Sequence, residues 1–173
     1  MAPSLPRVAI PCDHAGVGLK RTLAAALPLR VLVALPEDPT GQIDTEGEWR
    51  RLQAALAPLL PGGLQLLRLD GRFGPLELRR AIQREQPHVL HLLAHGQPDG
   101  VLLWQDGPQG SLQDSRPQIA PPTALRMALE GANSLRLVLL AACSTAQVFD
   151  HSPLSSLGAQ LLQTGAPAVI AMQ

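Results

Sequence analysis

Two stretches, HVLHLLAHG at residues 88–96 and LRLVLLAACSTA at residues 135–146, decide the fold. Each begins as a nearly unbroken apolar run of strand length and then gives way to small and polar residues. A strand with one wet face alternates apolar with polar residues, whereas a strand covered on both faces does not. Val89 to Ala94 and Leu135 to Ala142 are therefore read as interior strands, the latter as the best central one. Working outward, LRVLVAL at residues 29–35, stopped by Pro36, is a third strand, and Leu64 to Leu69 a fourth. Ala168 to Met172 (AVIAM) begins another, and Val8 to Ile10 is a short apolar run.

Amphipathic segments separate these runs. Gly16 to Leu27 carries Leu19, Leu23 and Leu27 on one helical face. Asp44 or Thr45 can cap a helix whose Trp49, Leu52, Leu56 and Leu59 form an apolar stripe, with Pro58 kinking its last turn. Leu76 to Gln86 turns Leu78 and Ile82 inward. Pro121-Pro122 opens a helix carrying Leu125, Ala128 and Leu129. A last helix runs from Ser152-Pro153 to Gly165 and presents Leu154, Leu157, Leu161 and Leu162. Val101 to Gln105 with the turn Asp106-Gly107 suggests a hairpin arm, and Pro108 to Ala120 an irregular insertion. Alternation of this kind predicts an α/β fold: a mostly parallel sheet with helices on both faces, and chemistry at the carboxyl ends of its strands.

Composition bounds the function. A chain of 173 residues with 46% hydrophobic and 16% charged residues has enough apolar material for one compact domain over residues 1–173. Basic and acidic residues balance at 14 each, so no basic excess marks a nucleic-acid binder. Aromatic residues are 2%, too few for the stacking platforms of a single-strand binder. No apolar run is long enough for a membrane helix, and the start MAPSLPRVAIP lacks the apolar segment of a signal peptide. Two cysteines, Cys12 and Cys143, cannot build a disulfide framework, which fits a reducing cytoplasm.

His95-Gly96 ends one interior strand and Cys143-Ser144 ends another. In a parallel sheet both ends share one edge, so the two side chains can meet although 48 positions separate them. An imidazole beside a thiol supplies the base that makes a thiolate nucleophile. Gly96 opens an approach for a substrate carbonyl, and the N–H groups of Gly96 and Cys143 are candidates for an oxyanion hole. A His about 50 residues before the Cys is also the caspase spacing. His91 lies four positions before His95 in a strand, too far along it to share a metal ion, and is read as a polar core residue. Trp49 is read as helix core.

HVLHLLAHG, LRLVLLAACSTA and LSSLGAQLLQTGAPAVIAMQ, together with LRVLVALPED and the helix around Glu46 and Glu48, resemble the CHAT domain of caspase-like cysteine peptidases over roughly residues 29–173. The resemblance implies a three-layer αβα sandwich of caspase type, shared with separase and metacaspases. It implies catalysis by His95 and the nucleophile Cys143, with no metal or organic cofactor. The implied partners are a protein or peptide substrate and a TPR or other sensor domain, with neither nucleic acid nor membrane. Such domains usually continue with a further strand and helix, so the likeness implies truncation at the carboxyl terminus. Relatives that cut after Arg or Lys carry Asp two residues before the nucleophile. Ala141 stands there, which points to an uncharged residue before the cut, unless Glu37, Asp38 or Asp150 brings an acid to the pocket.

Two other readings stand beside the endopeptidase. One is a catalytically silent CHAT module that binds protein. The other is a sugar-phosphate isomerase, because VAIPCDHAGVGLK resembles the opening of B-type ribose-phosphate isomerases, with Asp13 and His14 at the substrate. That family's later Cys-Gly-Thr-Gly loop is missing; Ser-Thr-Ala follows Cys143.

Overall fold

The structure, a computed structural model, describes residues 28–60, 63–97, 100–105, 116–142, 157–163 and 166–171. The expected helix Gly16–Leu27, the Ser152-Pro153 cap and Gly165 lie outside them, as do Cys12, Asp13, His14, Cys143 and Asp150. Five parallel strands form the central sheet: β1 (Leu29–Pro36), β2 (Leu64–Gly71), β3 (Val89–Leu93), β7 (Leu137–Ala141) and β8 (Val169–Ala171), ordered β2-β1-β3-β7-β8. A separate antiparallel arm of three strands, β4 (His95–Gln97), β5 (Gly100–Gln105) and β6 (Arg116–Ala120), departs from the end of β3.

Helix α1 (Thr45–Leu56) covers one face of the sheet. Its Trp49, Leu52 and Leu56 pack against Val31, Val33 and Leu35. Asp44 caps it by accepting from the Gly47 N–H at 2.8 Å. The other face carries α2 (Pro75–Glu85), α3 (Pro122–Leu129) and α4 (Leu157–Gln163). Leu78 and Ile82, Leu125 and Ala128, and Leu161 from these helices close over Leu32, Leu90, Leu92, Val138 and Leu140. Alternation in β3 and β7 sorts the side chains: Leu90, Leu92, Val138 and Leu140 are buried on the three-helix face, while His91 and Leu139 point to the α1 side. The result is the expected αβα sandwich with a mostly parallel sheet.

Two local expectations are corrected. Leu59 does not extend the α1 stripe and is 54% exposed. The chain tightens into a 3₁₀ turn at Ala57–Leu59, where Pro58 cannot continue α-helical bonding, and the change of period rotates Leu59 outward. The stretch before Ala120 is not wholly irregular, because Arg116–Ala120 is strand β6. Its Pro117 is tolerated because β6 is the edge of the arm. The arm is anchored by Val101, Leu103 and Ala120, which join the main core.

Connections define where a site belongs. From β1 the chain passes through α1 to β2 on one side; from β2 it returns through α2 to β3 on the other side of β1. The strand order therefore reverses between β1 and β3, and the crevice at their carboxyl ends is the topological switch point.

Candidate active site

Asp38 follows the end of β1 and His95 follows the end of β3, so both stand at that crevice. His95 Nε2 lies 3.1 Å from Asp38 Oδ2. The distance is that of a charge-assisted hydrogen bond, but the N–H direction is bent, making this an ion-pair contact more than an aligned bond. The Asp38 side chain is only 3% exposed and that of His95 20%.

The segment Asp38 to Ile43 is wrapped around the Asp38 carboxylate. Oδ1 accepts from the Thr40 N–H at 3.0 Å and from Thr40 Oγ1 at 2.6 Å, and Oδ2 accepts from the Ile43 N–H at 2.7 Å. Gly41, at φ +68°, makes the turn that closes this loop, and its N–H donates to the Asp38 carbonyl at 3.1 Å. Burial pushes the Asp38 carboxyl up. The donors from Thr40, Ile43 and His95 outweigh it and hold the group well below the usual carboxylate range. An ionised carboxylate thus faces the imidazole and favours Nε2–H, so that Nδ1 is the nitrogen that can take a proton.

Parallel pairing of β3 with β7 runs Val89 with Leu137 through Leu93 with Ala141, a constant offset of 48 positions. The Ala94 N–H continues the ladder to the Ala141 carbonyl at 3.3 Å. His95 and Cys143 differ by the same 48 positions. Cys143 lies outside the described residues, bonded to the buried Ala142 that follows the end of β7.

The remaining site candidates are placed as follows. Gly96 is in β4, opposite Val101 of the arm. Ala141 is the last residue of β7, paired with Leu93. Glu37 does not point freely at the crevice: Arg72 donates to both its oxygens, from Nε at 2.8 Å and an Nη at 3.1 Å. Asp38 is spent on its own loop and on His95. Sequence reasoning put it among pocket acids and missed its pairing with the histidine. The signal available was Asp-Pro-Thr-Gly at residues 38–41, a turn pattern in which the Asp side chain accepts from the backbone two residues on.

His91 sits in β3 against α1. Its Nε2 is buried without a hydrogen-bond partner among the described residues, 4.0 Å from Glu48 Oε1. Burial lowers its pKa against the smaller opposing pull of Glu48, which favours the neutral ring. Trp49 is half-buried, with the Arg68 guanidinium 5.3 Å from its ring centroid. Among the described residues no three His, Cys, Asp or Glu side chains gather as a metal ion would require. Nor is any helix among them long and apolar enough to cross a membrane.

Residues 18–173 match the family described as CHAT domain. A comparison with curated proteins found no match.

Proposed function

Because the chain belongs to the CHAT domain family, within the caspase-like cysteine peptidase clan, we propose that it is a cysteine endopeptidase acting through Cys143, His95 and Asp38. The observation that carries the reading is the buried Asp38 carboxylate 3.1 Å from His95 Nε2 at the switch point of the sheet. A structural histidine needs no ionised, loop-enclosed acid against one ring nitrogen, whereas a general base does, because the acid sets the tautomer and stabilises the imidazolium.

In this mechanism His95 Nδ1 takes the proton of the Cys143 thiol. The thiolate attacks the scissile carbonyl, whose oxygen is received by the N–H groups of Gly96 and Cys143. Asp38 is a positioning residue that acts through His95. The tetrahedral adduct collapses with breakage of the C–N bond, the amine leaves with the proton from His95, and a thioester remains. Water, activated by the same imidazole, hydrolyses it and regenerates the thiol. The residue preferred before the cut is uncharged: Ala141 brings no carboxylate, Arg72 neutralises Glu37, and Asp38 serves the imidazole.

The test is paired. Cys143→Ala should abolish peptide hydrolysis without a loss of folding, and iodoacetamide should alkylate Cys143 in the wild-type chain much faster than Cys12. Equal reactivity of the two thiols, with no turnover on a peptide library, would instead identify a silent binding module.

A further inference from the structure

The opposite edge of the sheet carries a second feature. A cavity of about 400 Å³ opens where α3 runs out into β7 and where the chain enters β8. That is a volume suited to a small organic molecule. Arg126 and Glu130 line it from the end of α3, Asn133 and Arg136 from the turn, and Ala166 with Pro167 from the approach to β8. Met127, Leu129 and Leu135 add apolar surface. These segments precede β7 and β8, so the cavity lies at the amino ends of the strands, across the sheet from His95.

The electrostatics of this edge are positive. Arg30 is the second residue of β1, His88 precedes β3 and Arg136 precedes β7, and the three are stitched together. The Arg30 N–H donates to His88 Nδ1 at 3.0 Å, and the Arg136 N–H to the His88 carbonyl at 2.7 Å. Burial first, and then the charges of Arg30 and Arg136, lower the His88 pKa. The Arg136 side chain is oriented by Nη1 donating to the Asn133 and Leu135 carbonyls at 2.8 and 3.0 Å. Those bonds use one terminal nitrogen, so the planar fork keeps further N–H donors for a planar or tetrahedral oxyanion.

We propose that this cavity binds a small organic anion, its phosphate or carboxylate head taken by Arg126 and Arg136 and its apolar body by Leu129, Leu135 and Met127. Glu130 opposes the anion and tunes its affinity downward. The inference is independent of the catalytic reading, because no residue of the cavity belongs to the Asp38–His95 crevice.

The experiment is amide NMR titration of the full chain with phenyl phosphate, benzoate and the neutral benzyl alcohol, with inorganic phosphate as the head alone. Phenyl phosphate should bind at about millimolar or tighter, with shifts centred on Gly131, Asn133 and Ala166. Benzoate should follow more weakly, and benzyl alcohol and inorganic phosphate should each be at least tenfold weaker than phenyl phosphate. Arg126→Gln with Arg136→Gln should weaken phenyl phosphate about tenfold or more, while Glu130→Gln should tighten it. The Glu130 variant guards against misfolding as an explanation, since a damaged fold would not gain affinity. Equal binding of benzyl alcohol, shifts that map elsewhere, or a double arginine variant with wild-type affinity would overturn the proposal.

Discussion

Replacing Asp38 by Asn tests the catalytic reading most directly, because the two groups are nearly isosteric and differ in charge and in one acceptor. The Asp38 carboxylate accepts from Thr40 N, Thr40 Oγ1 and Ile43 N and faces His95 Nε2. An Asn keeping its oxygen towards Thr40 turns its amide NH₂ towards both the Ile43 N–H and the imidazole. One charge-assisted bond becomes a donor–donor contact and the others weaken, a loss of about 2–4 kcal/mol of stability. Domains of this size are commonly stable by about 5–15 kcal/mol, so the variant should remain folded at 25 °C. Catalysis should suffer separately. The NH₂ makes Nε2 the acceptor and puts the proton on Nδ1, the tautomer that cannot take a proton from a thiol. At about 1.4 kcal/mol per tenfold, losing about 3–4 kcal/mol from the transition state lowers kcat roughly 10²–10³-fold. KM should stay within about threefold, because in the proposed mechanism Asp38 acts through His95 and not on the substrate. The assays are hydrolysis of a fluorogenic peptide and the rate at which iodoacetamide alkylates Cys143, each at a temperature well below the variant's melting point. A lowered melting temperature with wild-type alkylation and kcat would reduce Asp38 to a builder of its own loop and refute the positioning role.

Other consequences can be measured independently. The depressed Asp38 pKa contributes stability that is fully present above the ordinary aspartate value of 3.8 and is lost as pH falls through the lower folded value. The difference between wild type and Asp38→Asn in urea unfolding should therefore shrink on acidification below about pH 4. His91, whose folded pKa lies below 6.5, has the same sign at higher pH: stability should fall as pH drops through 6.5 and level off below the folded value. His91→Leu should flatten that slope. A Cβ at Gly100, where φ is +157°, would collide with the Ala120 carbonyl oxygen. Gly100→Ala should cost about 2 kcal/mol or more and loosen the β5–β6 pairing, read as faster amide exchange at Ile119 and Ala120. Arg72→Ala releases Glu37, so a positional-scanning library should show a gain for Arg or Lys before the cut; an unchanged profile would remove Glu37 from the pocket.

The strands were legible because burial on both faces leaves a sequence with nothing polar to spare. LRVLVAL, VLHLLA and LVLLA have no alternation to misread, and Leu32, Leu90, Leu92, Val138 and Leu140 are each at most 2% exposed. The helical stripes were equally plain where a single period held, as at Leu78 and Ile82. Reading failed where two rules met on one residue. Pro58 converts the end of α1 to a 3₁₀ turn, so counting by the α-helical period misplaces Leu59. Pro117 argues against a strand in general, and only the edge position of β6, a tertiary fact, makes it acceptable. Within the crevice the histidine was legible from its position at a strand end. The role of Asp38 depends on a loop closing around a carboxylate and on strand order, neither of which local sequence encodes.

Charge illustrates the same limit more sharply. A total of 14 basic and 14 acidic residues, well interspersed along the chain, reads as neutral and featureless. Parallel strands make the distribution directional, because every residue just before a strand goes to one edge and every residue just after it to the other. Arg30 is the second residue of β1, and His88 and Arg136 stand just before β3 and β7, whereas Glu37, Asp38 and Asp70 stand at or after the ends of β1 and β2. Arg72 also reaches the second edge, but its charge is matched by Glu37. The fold thus separates charges that the sequence mixes: guanidiniums beside a cavity at the amino edge, and at the carboxyl edge a buried carboxylate beside an imidazole. An ionised Asp38 is inexpensive there because three donors from Thr40 and Ile43 and the facing imidazole surround it, and in the proposed mechanism its fixed charge is what lets His95 accept a proton at the moment the thiol loses one.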